Sequence, residues 1–343
     1  MASKINIFLT GATGHIGGSV LARLLNHPNF SSFELNVLVR STDKAKKLRT
    51  LRVKVTLGSY DEKLEILAEA ASHADIVISM ADADNLPAST AILDGMKIKH
   101  AASGKAPILI HTSGTGIIVD DARGLHGDHR EFSDLESEVL NAIPVTALHR
   151  NVDIPIIEAD KAGYINAYII TPGTVFGYPS GPLVDLGIQN IPSIQMRYLI
   201  KPCIARKQGA YFGKGLNLWS AVDVDDTADL YLILFDAILR DPESAGHGTE
   251  GYYFVENFQY SALEVAQAIS EGLVEQGIMT TPEISPFTLE EGEKYFGTFW
   301  PLLGANSKVK ADRSRALGWA PKRDKEDLIA NLKSGVAFYL KGY

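Results

Sequence analysis

Cysteine is nearly absent from this chain. Cys203 is the single one among 343 residues, which excludes an intramolecular disulfide and any metal site built from several thiolates. Basic residues are also short. Lys and Arg number 33 against 41 Asp and Glu, for a net charge of −8, and the basic residues cluster only at Lys44-Ala45-Lys46-Lys47. A nucleic-acid surface is not expected on such a chain. No apolar run approaches the ~20 residues of a membrane span. The apolar start is short and runs straight into glycines, unlike a secretory leader, so the cytoplasm is the expected location. No acidic or histidine cluster has the spacing of metal ligands, so no metal is expected. Internal repeats and low-complexity linkers are missing as well. The expected partner is a small molecule rather than nucleic acid or membrane, with a homodimer as a candidate assembly.

The most informative segment present is Ile5-Asn6-Ile7-Phe8-Leu9-Thr10-Gly11-Ala12-Thr13-Gly14-His15-Ile16-Gly17-Gly18. An apolar strand enters it, and an amphipathic helix carrying Val20, Leu21, Leu24 and Leu25 leaves it. Gly11 suits the tight turn, Gly14 lets backbone approach a pyrophosphate, and Gly17 lets the helix pack closely on the strand. The helix N-terminus then points free N–H groups and the positive dipole end at phosphate. The spacing is G-x-x-G-x-x-G, not the more general G-x-G-x-x-G, so the strand–turn–helix context carries the assignment.

Apolar runs alternate with helical patterns along the first half. Strands are expected at Lys4–Thr10, Phe33–Arg40, Val53–Leu57, Asp75–Met80, Pro107–Thr112 and Ile165–Thr171. Helices are expected near His15–Asn26, Asp61–Ala71, Pro87–Ser103 and Ala147–Ala162. This alternation predicts an α/β fold, a doubly wound parallel sheet of Rossmann type with a smaller C-terminal α/β lid. Residues 1–175 are expected to form the cofactor-binding part and 176–343 the substrate-binding lid, with the helix inside 223–240 packing back on the first part. Ser261 and Glu264 predict a capping box for a helix to about Gln276. Asp324–Leu340 reads as a closing helix.

Five segments in order resemble the extended short-chain dehydrogenase/reductases, the group of the nucleotide-sugar epimerases and dehydratases. Thr10–Gly17 is similar to the family's cofactor turn. Ile108–Ser113 resembles the strand that carries its catalytic serine. Thr171-Pro172-Gly173-Thr174-Val175-Phe176-Gly177 resembles the segment beside the nicotinamide, with Thr171 in place of arginine. Trp219–Ala228 and Leu317-Gly318-Trp319-Ala320-Pro321 resemble the return segment and the C-terminal motif. One departure matters. The family's reductases use Tyr-x-x-x-Lys, and none of the 13 tyrosines has lysine four residues on. In that slot stand His149 and Asp153.

The resemblance implies a nicotinamide cofactor held by Gly11, Thr13, Gly14, His15, Ile16 and Gly17. Arg40, at the end of the second strand, lies where the adenosine ribose is expected. Arginine cannot accept from the ribose hydroxyls but pairs well with a 2′-phosphate, which favours NADP(H). Ser41 and Lys44 can join it. Tyr60 and Asp61 follow the third strand near the adenine edge, with Asp61 equally suited to cap a helix. Ala81 and Asp82 follow the fourth strand beneath the cofactor, where backbone contacts are expected and the carboxylates read as solvated. Pro172, Gly173 and Val175 flank the nicotinamide by resemblance.

For catalysis, the resemblance assigns Ser113 to donate to the substrate oxygen; a turn serine is the plainer reading. His149 and Asp153, four apart, are expected to share a helix face, so that the carboxylate orients the imidazole as a proton donor. A surface pair is the plainer alternative. Tyr178 is the second candidate acid, and His111, His126 and His129 are further candidates. Tyr178, Tyr198 and Trp219 suggest an apolar substrate. The expected function is NADPH-dependent reduction of a small carbonyl or imine. A non-redox cyclase, isomerase or lyase that keeps the nucleotide as scaffold is one rival. An NmrA-like cofactor sensor, which also lacks the Tyr-Lys pair, is the other.

Arg40 generates a direct test. Arg40→Asp is expected to weaken NADPH binding by roughly ten- to a hundredfold, the size of a lost charge-assisted contact, and partly to restore NADH. Fluorescence titration of both cofactors measures this, and equal affinities in the unmodified protein would remove the arginine from cofactor choice.

Overall fold

The computed structural model describes residues 4–342, apart from the side chain of Glu243. Residues 1–3 and Tyr343, the outer limits of the two expected parts, lie outside the described residues. Seven strands form one parallel sheet: β1 (Ile5–Thr10), β2 (Phe33–Val39), β3 (Lys54–Leu57), β4 (Ile76–Ser79), β5 (Ile108–Thr112), β6 (Asn166–Pro172) and β7 (Tyr252–Val255). Their order is β7-β6-β5-β4-β1-β2-β3. All four residues of β4 are buried. This is why the strand reads as a continuous apolar run rather than an alternating one. β3 is the edge, and its Lys54 pairs outward with Glu34 at 2.5 Å.

The chain leaves β1 in one direction for β2 and β3, then returns to the other side for β4. That reversal opens a crevice past the C-terminal ends of β1 and β4, the place where such sheets bind ligands. Gly11 turns the chain there with φ +70°. A Cβ on it would lie 2.4 Å from the Met80 carbonyl oxygen at the end of β4.

The C-terminal half contributes to both layers. The helix Val224–Arg240 packs on the helix His15–Leu25 through Arg23, whose Nε meets Asp229 at 2.6 Å and whose Nη2 meets Asp225 at 3.2 Å. Trp319 fastens the C-terminal motif to the start of the same helix, its indole N–H donating to the Asp226 carbonyl at 2.8 Å. A separate sheet of Thr174–Phe176, Leu218–Asp223 and Phe258–Ser261 sits over a second apolar core that includes Phe176, Trp219, Ile269 and Leu332. The capping box of Ser261 and Glu264 is present and starts the helix Ala262–Glu275.

Three differences from the sequence reading have local causes. β7 was not expected; it pairs with β6 only because the return segment brings Tyr252 beside Ile169. The helix expected at Asp61–Ala71 runs Glu65–Ser72, because Lys63 adopts φ +54°. Asp61 therefore caps no helix. The helix expected at Ala147–Ala162 starts at Arg150, because His149 is left-handed at φ +64°.

Helix and sheet meet at Gly17, where a Cβ would lie 2.2 Å from the Gly11 carbonyl oxygen. Gly17→Ala is expected to destabilise the fold by about 1–3 kcal/mol, the range for forcing atoms into a packed contact. Thermal melting measures this, and an unchanged melting temperature would mean that the helix can lift off the strand freely.

Candidate active site

The glycine turn builds one end of the site. Gly14 caps the helix His15–Leu25 with extended backbone and no side-chain hydrogen bond, so the N–H groups of the first turn keep their dipole end uncovered. The residues present fit a dinucleotide diphosphate: a bare helix N-terminus, a glycine where backbone must come close, and no carboxylate in the first turn. The His15 side chain fastens a neighbouring segment. Its ring Nδ1 donates to the Ile191 carbonyl at 2.9 Å, while its own carbonyl accepts from Gln189 Nε2 at 2.9 Å. Burial pushes its pKa down to about 4, which keeps the ring neutral. The Thr13 carbonyl accepts from Asn190 N at 2.9 Å. The segment Gln189–Ser193 is thus tied down over the turn.

Beyond β2, Arg40 is exposed and makes no ion pair among the described residues. Ser41 caps the next helix, its Oγ accepting from Lys44 N at 3.3 Å. Partial burial and the neighbouring Arg40 charge both hold the Lys44 pKa below its usual value. The two cations lie close enough to repel, and the intervening Asp43 pairs with Lys46 at 3.7 Å. Tyr60 is buried with its hydroxyl 3.2 Å from Ser79 Oγ, so it is a wall behind this edge rather than an open contact. Asp61 accepts from Asn85 Nδ2 at 2.9 Å. Ala81 and Asp82 are exposed after β4, and Asp82 accepts from the backbone of Asp84 at 3.0 Å.

The structure separates His149 from Asp153. In its left-handed conformation His149 precedes the helix instead of lying on it, so the four-residue spacing does not put the two on one face. His149 Nδ1 instead lies 2.9 Å from Asp84 Oδ1, and its backbone N–H donates to the same oxygen at 3.1 Å. Asp84 is 54% exposed, as expected of a carboxylate after β4, and is paired as well as solvated. Its hydrogen bond from His149 holds its pKa below the usual carboxylate value. The imidazole's other face abuts two glycines: a Cβ on Gly114 or on Gly116 would lie 3.0 Å from Nε2.

Asp153 lies beneath the cavity floor, fully buried. It is not the hydrogen-bond partner of His149, which is Asp84. Asp153 Oδ2 accepts from Ser113 Oγ at 2.9 Å and from the Tyr252 hydroxyl at 3.0 Å, and Arg150 Nη1 donates to that tyrosine at 2.5 Å. Its Oδ1 and His111 Nε2, 3.7 Å apart, are both buried without a hydrogen-bond partner. Burial raises the Asp153 pKa to about 6 and lowers that of His111 to about 3. Ser113 therefore spends its proton on Asp153 while that group is ionised. The donor role expected for Ser113 needs a protonated Asp153.

These groups surround a cavity of about 550 Å³. Gly14, His15, Ile16 and Gly17 line one end, Ser113, His149 and Asp84 the middle, and Pro172, Gly173 and Val175 the adjoining wall. Tyr198 and Trp219 face it, but Tyr178 does not. Gly177, at φ +92°, turns Tyr178 away onto Phe338, with ring centroids 5.8 Å apart. His126 and His129 pair with Asp128 and Asp120 elsewhere. The sequence reading missed Asn190, Pro192–Gln195, Phe299, Leu302 and Leu303 as cavity walls. Only Asp84 had a signal, its place just after a central strand.

The NmrA-like family profile matches residues 3–108. The protein named oxidase ucsJ from Acremonium sp is 32% identical over 339 residues, covering 92% of each chain. UDP-glucose 4-epimerase from Thermotoga maritima has a similar structure, with TM-score 0.64 and 16% identity over 98% of this chain and 99% of the epimerase. The enzyme of the same name from Bifidobacterium longum, in complex with NAD+ and UDP, gives 0.63 and 16% over 98% and 100%.

The buried carboxyl of Asp153 makes the fold pH-sensitive. An acid whose folded pKa is raised from 3.8 to about 6 contributes stability that is present at low pH and lost as pH rises through 6. Asp153→Asn cannot titrate. Its melting temperature relative to the unmodified protein is expected to climb between about pH 4 and about pH 8, by the equivalent of about 3 kcal/mol. A pH-independent offset would show that the carboxyl is not strained by burial.

Proposed function

We propose that this chain, 32% identical to the protein named oxidase ucsJ and folded like UDP-glucose 4-epimerase, is an extended short-chain dehydrogenase/reductase that acts as an NADPH-dependent reductase of a small organic carbonyl or imine. The observation that carries this reading is the His149–Asp84 pair on the wall of a cavity that begins at the glycine turn.

The first turn of the helix His15–Leu25 would hold the cofactor's diphosphate, Arg40 and Lys44 its 2′-phosphate, and Pro172, Gly173 and Val175 its nicotinamide end. When bound, the cofactor supplies hydride. The chain's own residues supply the proton. A carboxylate only accepts, so His149 Nδ1 carries a proton toward Asp84, and in the charged ring the second proton sits on Nε2. Nε2 lies against the backbone of Gly114 and Gly116, and His149 lines the cavity. It can hand that proton to an oxygen or nitrogen gaining negative charge, and the ring returns to neutral with its Nδ1 proton still on Asp84. Ser113 offers a lone pair while Asp153 is ionised and a proton when Asp153 is protonated. Ile194, Tyr198, Trp219 and Leu303 give the pocket apolar walls.

The NmrA-like match over residues 3–108 favours a second reading, a cofactor-sensing regulator. It lies within the cofactor-binding half and says nothing of the His149 wall. Single-turnover oxidation of bound NADPH by small carbonyls separates the two: a reductase consumes the cofactor and a sensor does not.

With a competent substrate, His149→Ala is expected to slow turnover by about 10²–10⁴-fold while NADPH affinity is nearly unchanged. Asp84→Asn should lose at least about tenfold in the same parameter, because an amide no longer fixes which ring nitrogen is protonated. A fully active His149→Ala variant would take the histidine out of the mechanism.

A further inference from the structure

A small recess adjoins the main cavity. Gln195, Tyr198, Trp219 and Leu303 line both spaces. The recess measures about 40 Å³, well above the roughly 10–15 Å³ that a single water needs. Phe212, Tyr260, Phe287 and Phe296 supply much of its remaining wall, and no Asp, Glu, Lys, Arg or His lines it.

One polar atom of a residue on this apolar wall is unmatched. Asn217 is 2% exposed. Its Nδ2 donates to the Leu303 carbonyl at 3.1 Å and the Ala305 carbonyl at 3.0 Å. Two carbonyls can only accept, so the nitrogen and oxygen of this amide are fixed by chemistry. Its Oδ1 is buried and has no hydrogen-bond partner. The other polar groups on the recess wall are engaged where they are most buried. The Tyr260 hydroxyl lies 2.7 Å from Thr174 Oγ1, and the Trp219 indole N–H donates to the Ala305 carbonyl at 2.6 Å. A buried acceptor left unpaired is unfavourable and gains from any donor that reaches it.

We infer that the recess holds the distal end of the substrate and that Asn217 selects for a neutral hydrogen-bond donor there, a phenolic hydroxyl or an N–H on an apolar, preferably aromatic, group. The aromatic walls favour a flat apolar body. The absence of any charged side chain disfavours an ionised tip, which would be desolvated without a counter-ion. This rests on the reading of the main cavity as a carbonyl-reducing site and names the class of substrate for it. Asn217 is a specificity-determining residue and takes no part in proton transfer.

Matched aldehydes test this: 4-hydroxybenzaldehyde and 6-hydroxy-2-naphthaldehyde, each against its methyl ether and its unsubstituted parent. Binding is measured by calorimetry in the presence of NADP+, and turnover separately by loss of NADPH absorbance. At least one hydroxylated member is expected to bind about tenfold or more tighter than both its analogues, the effect of leaving a buried acceptor unpaired. Asn217→Ala should erase that ratio. Ala262→Leu, which narrows the recess and leaves the Asn217 hydrogen bonds in place, should erase it too if the first variant fails to fold. Equal binding within both series, no binding by either hydroxylated aldehyde, or a ratio kept in both variants overturns the assignment. Donor preference without NADPH consumption would sink the reductase reading and leave the recess standing. Consumption without donor preference would do the reverse.

Discussion

The constraint on which the cavity depends is the contact of the helix His15–Leu25 with the strand it follows. Gly17 has no room for even one carbon beside the Gly11 carbonyl, and Gly11 has none beside Met80. Three backbone segments therefore meet with nothing between them. That contact aims the helix N-terminus at the crevice beyond β1 and β4. It also sets the level at which Gln189–Ser193 docks through His15 and Thr13. Replacing either glycine would move the bare N–H groups, the covering segment and the cavity mouth together.

Two polar systems flank that cavity, and burial separates their work. His149 and Asp84 sit at its edge, where a ring nitrogen can meet a ligand and the carboxylate is half in water. Ser113, Asp153, Tyr252 and Arg150 form a chain running inward from the wall, and apart from the serine's edge it is sealed. Arg150 is among the largest fully buried side chains. Its remaining N–H groups satisfy the Ile143 and Asn141 carbonyls, so its charge is solvated by protein dipoles and stands near the Asp153 carboxyl. The position that resembles the family's lysine thus holds an acid that supports the floor instead of a base that reaches the cofactor.

Much of the fold was legible because it depends on period and punctuation. Buried parallel strands read as apolar runs, and the glycine turn announces itself by spacing. The expected strands fall within one or two residues of the observed ones along most of the sheet. β7 was not legible. Tyr252–Val255 is a short apolar run like many others, and only its pairing with β6 makes it part of the central sheet. The site divides in the same way. Gly14, Ser113, Pro172 and Gly173 could be placed on the cavity from the sequence because each lies at or just past the C-terminal end of a strand of the central sheet. The partner of His149 was misassigned because helical spacing was applied across a residue that is not helical.

The sequence by itself determined the layering of the sheet, the direction of its ligand edge and the turn that can take a phosphate, because these follow from local pattern and from glycine's missing side chain. Tertiary structure alone decided the pairings. Asp84 and His149 are 65 residues apart, and Ser113 and Asp153 are 40 apart. Asn217 is left with a bare acceptor by carbonyls 86 and 88 residues away. No periodicity encodes such distances. They are fixed only when the strands close and a left-handed residue turns one ring toward the cavity instead of along its helix.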